Sequence, residues 1–429
     1  MIKRAALASL LLLAAALSAP ADELLPPRRI PPGTESVTQD DGTPAALRWM
    51  IRPLRRGMFI RLPVMDTDPN RGITVGVMPI VVLQAKDQDR IEQIHAPSVT
   101  YNKNFGVIPT YRYYYYPQPD ASLVARASIS KYEGEGMAQY EDAGFLGTDK
   151  DVLLRGQFNI DAGRRYYGDG PDTQKTAEGN YKENYWQYQW GVGTPLREGS
   201  SWRARVSQRY QAERVLDGPL SNLPRFRDIY PAEFSDRAQQ TDETRLSLLY
   251  DTRDHAVTTT RGTYLETYAE AAVRGFLSQY DYKRYGFDAR WFKPQGEGDA
   301  RVFAIQTTYE QILGATPPFW ILPSLGGKYS LRAYGDGRYV DRGAATLNAE
   351  ERFKVFEAKT AGVTTEFQLA PFAGVGTVFD SPGTMAGRYL RPVVGAAIRA
   401  VARPQVVGSV DFGVGREGLS VFMDINYSF

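Results

Sequence analysis

Segment after segment of this chain alternates apolar and polar residues over strand length. A period of two gives β-strands with one apolar and one polar face, not amphipathic helices. In "RYGFDARWF", Tyr285, Phe287, Ala289 and Trp291 share one side and Arg284, Gly286, Asp288 and Arg290 the other. "SWRARVSQRY" opposes Trp202, Ala204, Val206 and Tyr210 to Arg203, Arg205, Ser207 and Arg209. "VLLRGQFNI" sets Leu154, Phe158 and Ile160 against Arg155, Gln157 and Asn159. "YWQYQWGV" turns Trp186, Tyr188, Trp190 and Val192 away from Gln187 and Gln189. Turns such as "YGDGPD", "PQGEGD" and "DSPG" separate the segments.

Alternation fits a sandwich with its apolar face inward and a membrane barrel with its apolar face outward. Three features favour the barrel. Aromatic residues (27 Tyr, 19 Phe, 6 Trp) recur on the apolar face near strand ends. The opposite face is dense in Arg and Glu, as a crowded lumen allows. The last segment, "LSVFMDINYSF", runs alternating to Phe429 with no polar tail.

Export is expected from the first residues. Lys3 and Arg4 precede the apolar run Ala5–Leu17, and Ala19-Pro20-Ala21 fits signal-peptidase cleavage, so residues 1–21 read as a signal peptide. That run is too short to span as a helix, and no later stretch of about 18 apolar residues occurs. Residues 22–56, rich in Pro and charge, read as an extended or disordered lead-in to a barrel over 57–429. At about 23 residues per strand and connection, sixteen strands are expected, within an even count of about 14 to 18. In "RYYYYPQPD", alternation places two of Tyr113–Tyr116 on each face, at a strand end suited to the membrane interface.

Composition removes other classes. Lys+Arg 51 against Asp+Glu 49 gives a net charge of +2, so no nucleic-acid partner is expected. There is no cysteine, and His95 and His255 are the only histidines. No catalytic arrangement, metal site or cofactor is expected.

Several motifs carry a family resemblance. "LLYDTRDHAVTTTRGTYLE" resembles the hairpin of the bacterial surface antigen family, the outer-membrane barrels related to BamA, TamA and the two-partner secretion transporters. The matching residues are Tyr250, Asp251, Arg253, Asp254, Arg261 and Gly262. "GGKYSLRAYGDGRYVDR" resembles that family's lumen-entering loop through Gly326, Gly327, Leu331, Arg332, Tyr334 and Arg338, with Ala333 where the family has glycine. The resemblance implies an acidic strand partner for Arg332, matched by Glu350 in "LNAEERF". "LAPFAGVGTVFD" resembles another family strand through Phe372, Gly376, Val378 and Phe379, with Gly374 in place of the usual aspartate. The final hairpin matches from Asp411 and Phe412.

The resemblance implies a barrel whose first and last strands pair weakly, with Tyr427 and Phe429 at the seam. It further implies outer-membrane protein assembly, or polypeptide or lipid translocation. The expected partners are outer-membrane lipid and, since residues 22–56 are too short for the family's client-binding domains, a separate periplasmic protein. Oligomerisation stays open. The alternatives are a structural surface barrel or an anion-leaning channel, its lumen lined by Arg126, Arg155, Arg203, Arg205, Arg209, Arg284 and Arg290.

Overall fold

A computed structural model describes residues 50–429 apart from 87–89, 276, 297, 316, 361–362, 403–405 and 426. Residues 1–21, read as a signal peptide, and residues 22–49, read as part of a lead-in, lie outside the described residues.

The chain opens with β1 (Ile51–Leu54), β2 (Gly57–Asp66), β3 (Thr74–Gln84), β4 (Ile91–Asn102), β5 (Gly106–Gln118), β6 (Ala121–Ile129) and β7 (Gly134–Asp142). There follow β8 (Asp151–Tyr166), β9 (Gly179–Pro195), β10 (Trp202–Asp217), β11 (Ser235–Asp251), β12 (Gly262–Ala272), β13 (Tyr282–Pro294) and β14 (Arg301–Gly314). A small ribbon, β15 (Ser324–Leu325) with β16 (Tyr339–Val340), stands apart from the main sheet. The wall resumes with β17 (Gly343–Thr360), β18 (Val363–Phe379), β19 (Arg391–Ala402), β20 (Val406–Gly415) and β21 (Gly418–Ile425).

Each wall strand pairs antiparallel with the next in chain order, in one 19-stranded sheet. Setting aside the four-residue β1, the wall has eighteen long strands among the described residues, the upper end of the expected range and two more than its central value of sixteen. Hairpins such as Asn102–Gly106 and Gln118–Ala121 are short, so less chain is spent on connections than the estimate assumed. An even count brings the start of β2 and the end of β21 to one rim, here the lower. The 315–342 connection leaves from the upper rim. β1 already pairs with Gly57–Ile60, so strand pairing begins inside the stretch read as lead-in.

The apolar face of the alternation points outward. Val77, Leu154, Trp186, Leu246, Trp291, Leu369, Ile398 and Phe412 are all exposed on the outer surface, Leu246 at 63%. Hydrocarbon is the medium in which such a surface is stable. The inner face is charged over most of the wall but not throughout. Near the lower rim, Met58, Met78, Ile80, Val82, Ile94 and Ala96 form a buried inner cluster, because "ITVGVMPIVVL" is apolar on both faces. Beneath the upper loops, Tyr166, Tyr181, Phe226, Tyr282, Ile312 and Phe319 form a second. The tyrosine run divides between faces: Tyr113 and Tyr115 stack at 6.4 Å, whereas Tyr114 and Tyr116 join the lower inner cluster.

β2 and β21 form no ladder among the described residues. They meet near the upper rim, where Thr67 N donates to Val421 O at 2.9 Å and Val421 N to Thr67 Oγ1 at 2.8 Å. The barrel is unzipped below that point.

Candidate functional site

The 315–342 connection descends into the lumen and lies against β17–β21. Tight backbone geometry permits the descent. Gly326 adopts φ 121, and a Cβ there would stand 1.9 Å from Gly335 O, so glycine alone fits. Leu325, Leu331, Ala333 and Tyr334 pack against Ala344, Phe372, Val378 and Val393. Gly413 of β20 makes the room for this contact: a Cβ there would stand 1.8 Å from Arg332 O.

The packing delivers Arg332, 1% exposed, to a buried charge cluster. Its Nη1 lies 3.1 Å from Glu350 Oε2, 3.0 Å from Asp411 Oδ2 and 3.3 Å from Ser428 Oγ. Its guanidinium carbon stands 3.6 Å from the Phe372 ring centroid, a cation–π contact. Glu350 also takes both Arg399 terminal nitrogens at 2.9 Å, one on each oxygen, and Arg352 Nε at 2.7 Å. Three arginines thus converge on one carboxylate, with Asp411 as the second acid. Buried charges persist only when paired and hydrogen-bonded in this manner.

Arg352 extends the cluster in two directions. Its Nη1 donates to Thr259 O and its Nη2 to Phe429 O, each at 3.1 Å. Thr259 belongs to the 252–261 turn between β11 and β12, which reaches under the lower rim so that Val257 packs on Val401, Val407 and Tyr427. Within that hairpin, Arg253 chelates Asp251 (Nε to Oδ1 3.0 Å, Nη2 to Oδ2 2.7 Å) and stands 4.5 Å from the Tyr264 ring. Tyr250 packs on Trp202 at 4.9 Å. Asp254 accepts from Thr260 Oγ1 and from the amides of Thr260, Arg261 and His255. Burial pushes its carboxyl up, but these bonds outweigh burial and hold it below the ordinary range. Gly262 has φ 108, and a Cβ there would stand 2.3 Å from Thr252 O. Gly262→Ala is therefore expected to cost more than about 1 kcal/mol and to open this turn, read as faster proteolysis between residues 252 and 261.

Tyr427 and Phe429, expected at the seam, lie elsewhere. Residues 427–429 lie inside the barrel. Tyr427 is buried, with the Arg352 and Arg399 guanidinium carbons 3.9 and 4.8 Å from its ring, and its hydroxyl bonds Gln368 Oε1 at 3.2 Å. Phe429 packs on Phe292 and Ala304, and Ser428 Oγ bonds Asp411 Oδ2 at 2.8 Å. Cation–π stacking and the two hydroxyl bonds outcompete a strand edge that offers fewer partners at this level.

Motifs spread over 250–262, 326–334, 350, 372–379 and 427–429 meet in or beside one cluster. Gly376 lies against Leu325 and Leu331, and Val378 and Phe379 are buried nearby. Sequence reasoning missed Arg352, Arg399 and Asp411 as cluster members. The missing aspartate at Gly374 gave the only hint: the Asn348 side chain fills that space, and Asp411 supplies the second acid from β20.

The arginines read as an anion-leaning lining mostly have acidic partners. Arg203 and Arg205 share Asp151, while Arg126 pairs with Glu135, Arg209 with Glu243, Arg284 with Glu270 and Arg290 with Asp288. Most of those carboxylates come from other strands, an adjacency hidden in the linear sequence. Arg155 instead bonds Gln157.

No curated protein matches the chain. Among solved structures, BamA from Haemophilus ducreyi lacking POTRA domains 1-3 superposes with a TM-score of 0.52 at 13% identity, over 85% of this chain and 75% of that one. CdiB from Escherichia coli gives 0.53 at 9% identity, over 85% and 67%. These likenesses concern the fold. Residues 121–410, well over half the sequence, match the Omp85 superfamily domain. The chain belongs to the Omp85 superfamily of outer-membrane β-barrels.

Proposed function

We propose that this barrel takes part in outer-membrane protein assembly through its unzipped seam, with the charge cluster holding the lumen loop and Tyr427–Phe429 inside. What supports the reading above all is that β2 and β21 form no ladder among the described residues, which leaves the β2 edge free above the Gly57–Ile60 stretch that β1 covers. An edge with unpaired N–H and C=O groups accepts an incoming strand by backbone pairing. The roles of Arg332, Glu350, the 250–262 hairpin and the 372–379 strand belong to this proposal, as do residues 1–21 as a signal peptide and residues 22–56 as a lead-in. Lipid surrounds the outer face, a separate periplasmic protein supplies client capture, and no catalytic role is assigned.

Continuing the Thr67–Val421 register places Met65 opposite Met423. A Met65→Cys/Met423→Cys disulfide should abolish insertion of an unfolded outer-membrane barrel into liposomes containing the protein, and reduction should restore it. Equal insertion with the disulfide closed and open would refute the reading.

The channel alternative predicts steady conductance. Against it stand the loop seated in the lumen, the 252–261 turn beneath it and the pairing of the lining arginines. Planar-bilayer recordings of the unaltered protein are expected to show no steady open level, whereas a stable anion-selective one would favour the channel.

A further inference from the structure

Pro79 lies within β3 and Pro97 within β4, both inside the wall and not at its free edge. Backbone bonds at the base of β3 fix which way its residues point. Gln84 N donates to Arg56 O on the β2 side, and Ala85 N donates to Arg90 O on the β4 side. Odd-numbered residues of β3 therefore turn their N–H and C=O toward β4. The register runs Val77↔Val99 and then Val81↔His95, which sets Pro79 opposite Pro97 between them.

Two residues facing in this sense would exchange a pair of N–H···O bonds. Proline has no N–H, so this pair exchanges neither. The ladder is interrupted over residues 78–80, and both proline carbonyls lose their ladder donors. Prolines within sheets are otherwise confined to edges and bulges. By contrast, β2–β3 pairs without a break from Gly57↔Leu83 to Asp66↔Thr74, and β4–β5 from Gln93↔Tyr115 to Asn102↔Gly106.

The ladder between β17 and β18 also breaks, beside Pro371, but there the inner side is filled by Glu350 and Arg352 of the buried cluster. On the inner side of Met78 and Ser98, the neighbours of Pro79 and Pro97, lies instead a cavity of about 200 Å³, which Arg112 also lines and which Arg399, Ser409 and Asp424 close from the far side of the seam. Arg112 reaches across the gap, with Nη1 3.0 Å from Ser98 Oγ and 3.8 Å from the Met78 sulfur. On its other side the β1–β3 ribbon has no ladder to β21 among the described residues.

We propose that the β3–β4 boundary is the wall's built-in yield line: when the seam widens, backbone pairing fails first at Pro79/Pro97, and β1, β2 and β3 shift together as one ribbon. The proposal rests on the ladder and not on the assembly reading, so either can fail alone.

Residue-resolved amide exchange on the full chain in lipid nanodiscs tests it. The β4-facing amide of Val81 and the β3-facing amide of His95 should exchange at least about tenfold faster than the β2-facing amide of Ile80. Pro79→Val/Pro97→Val restores the two donors and should slow Val81 and His95 by about tenfold, leaving Ile80 unchanged. Equal protection of Val81 and Ile80 in the unaltered protein, or unchanged rates in the double variant, would overturn the proposal. If that variant does not fold, a Val82→Cys/Ile94→Cys disulfide, placed just below the gap in a chain without native cysteine, serves instead. Its oxidation should slow the same two amides, and no slowing would overturn the proposal equally.

Discussion

Glu350→Ala is expected to destabilise the folded barrel by about 3–5 kcal/mol, the cost of leaving buried charge uncompensated. Glu350 takes hydrogen bonds from Arg332, Arg352 and Arg399, all nearly inaccessible to water. Removing it leaves three guanidinium groups with Asp411 as the nearby acid, and the Asp411 contact is to Arg332. Asp411→Asn should cost less, since Arg332 keeps Glu350. Glu350→Leu/Arg399→Met should recover part of the loss, because apolar groups of similar volume can replace a buried ion pair without one charge being stranded. Urea midpoints of the refolded barrel measure all three. Equal midpoints for Glu350→Ala and the unaltered chain would show that the cluster is solvated and weak.

Gly413→Val is expected to unseat the lumen loop without altering any charge. A Cβ at 413 would stand 1.8 Å from Arg332 O, a backbone atom that cannot rotate away. The loop must lift, which withdraws Arg332 from Glu350 and breaks the Ser420 Oγ to Ala333 O bond of 3.2 Å. Overpacking of this kind costs about 1–3 kcal/mol or more. Added to the lost ion pairs, it should release the loop in a large fraction of molecules. The readouts are a steady ionic conductance absent from the unaltered protein and new protease cleavage between residues 326 and 342. Gly415→Ala is the milder control, since its nearest neighbours, at 3.0 Å, are side-chain atoms of Ala333 and Tyr334. A closed, protease-resistant Gly413→Val barrel would mean that the loop is not seated on β20.

Strand class and facing were legible in the sequence because they are local: one residue in two, along one strand, as in Tyr285–Trp291. Glu350 could be picked out because its neighbourhood matches a family motif. What the sequence concealed depends on register between distant strands. Arg399 and Asp411 face the same lumen as Glu350 only because β17 to β20 are consecutive in the wall. The inward turn of Tyr427 and Phe429 was hidden for a different reason: alternation continues to the last residue, so the pattern alone prolongs the strand. Three arginines inside the barrel provide the competing attraction. The strand count was legible only as a range because connection lengths, unlike strand lengths, are not set by membrane thickness.

The outward apolar face is tested most directly by single-cysteine fluorophores placed one at a time along β13, from Arg284 to Trp291, in bilayers carrying a brominated lipid quencher. Strong quenching at 285, 287, 289 and 291, and weak quenching at 284, 286, 288 and 290, is the predicted result. Uniform quenching, or the opposite alternation, would place the charged face toward lipid and contradict the account.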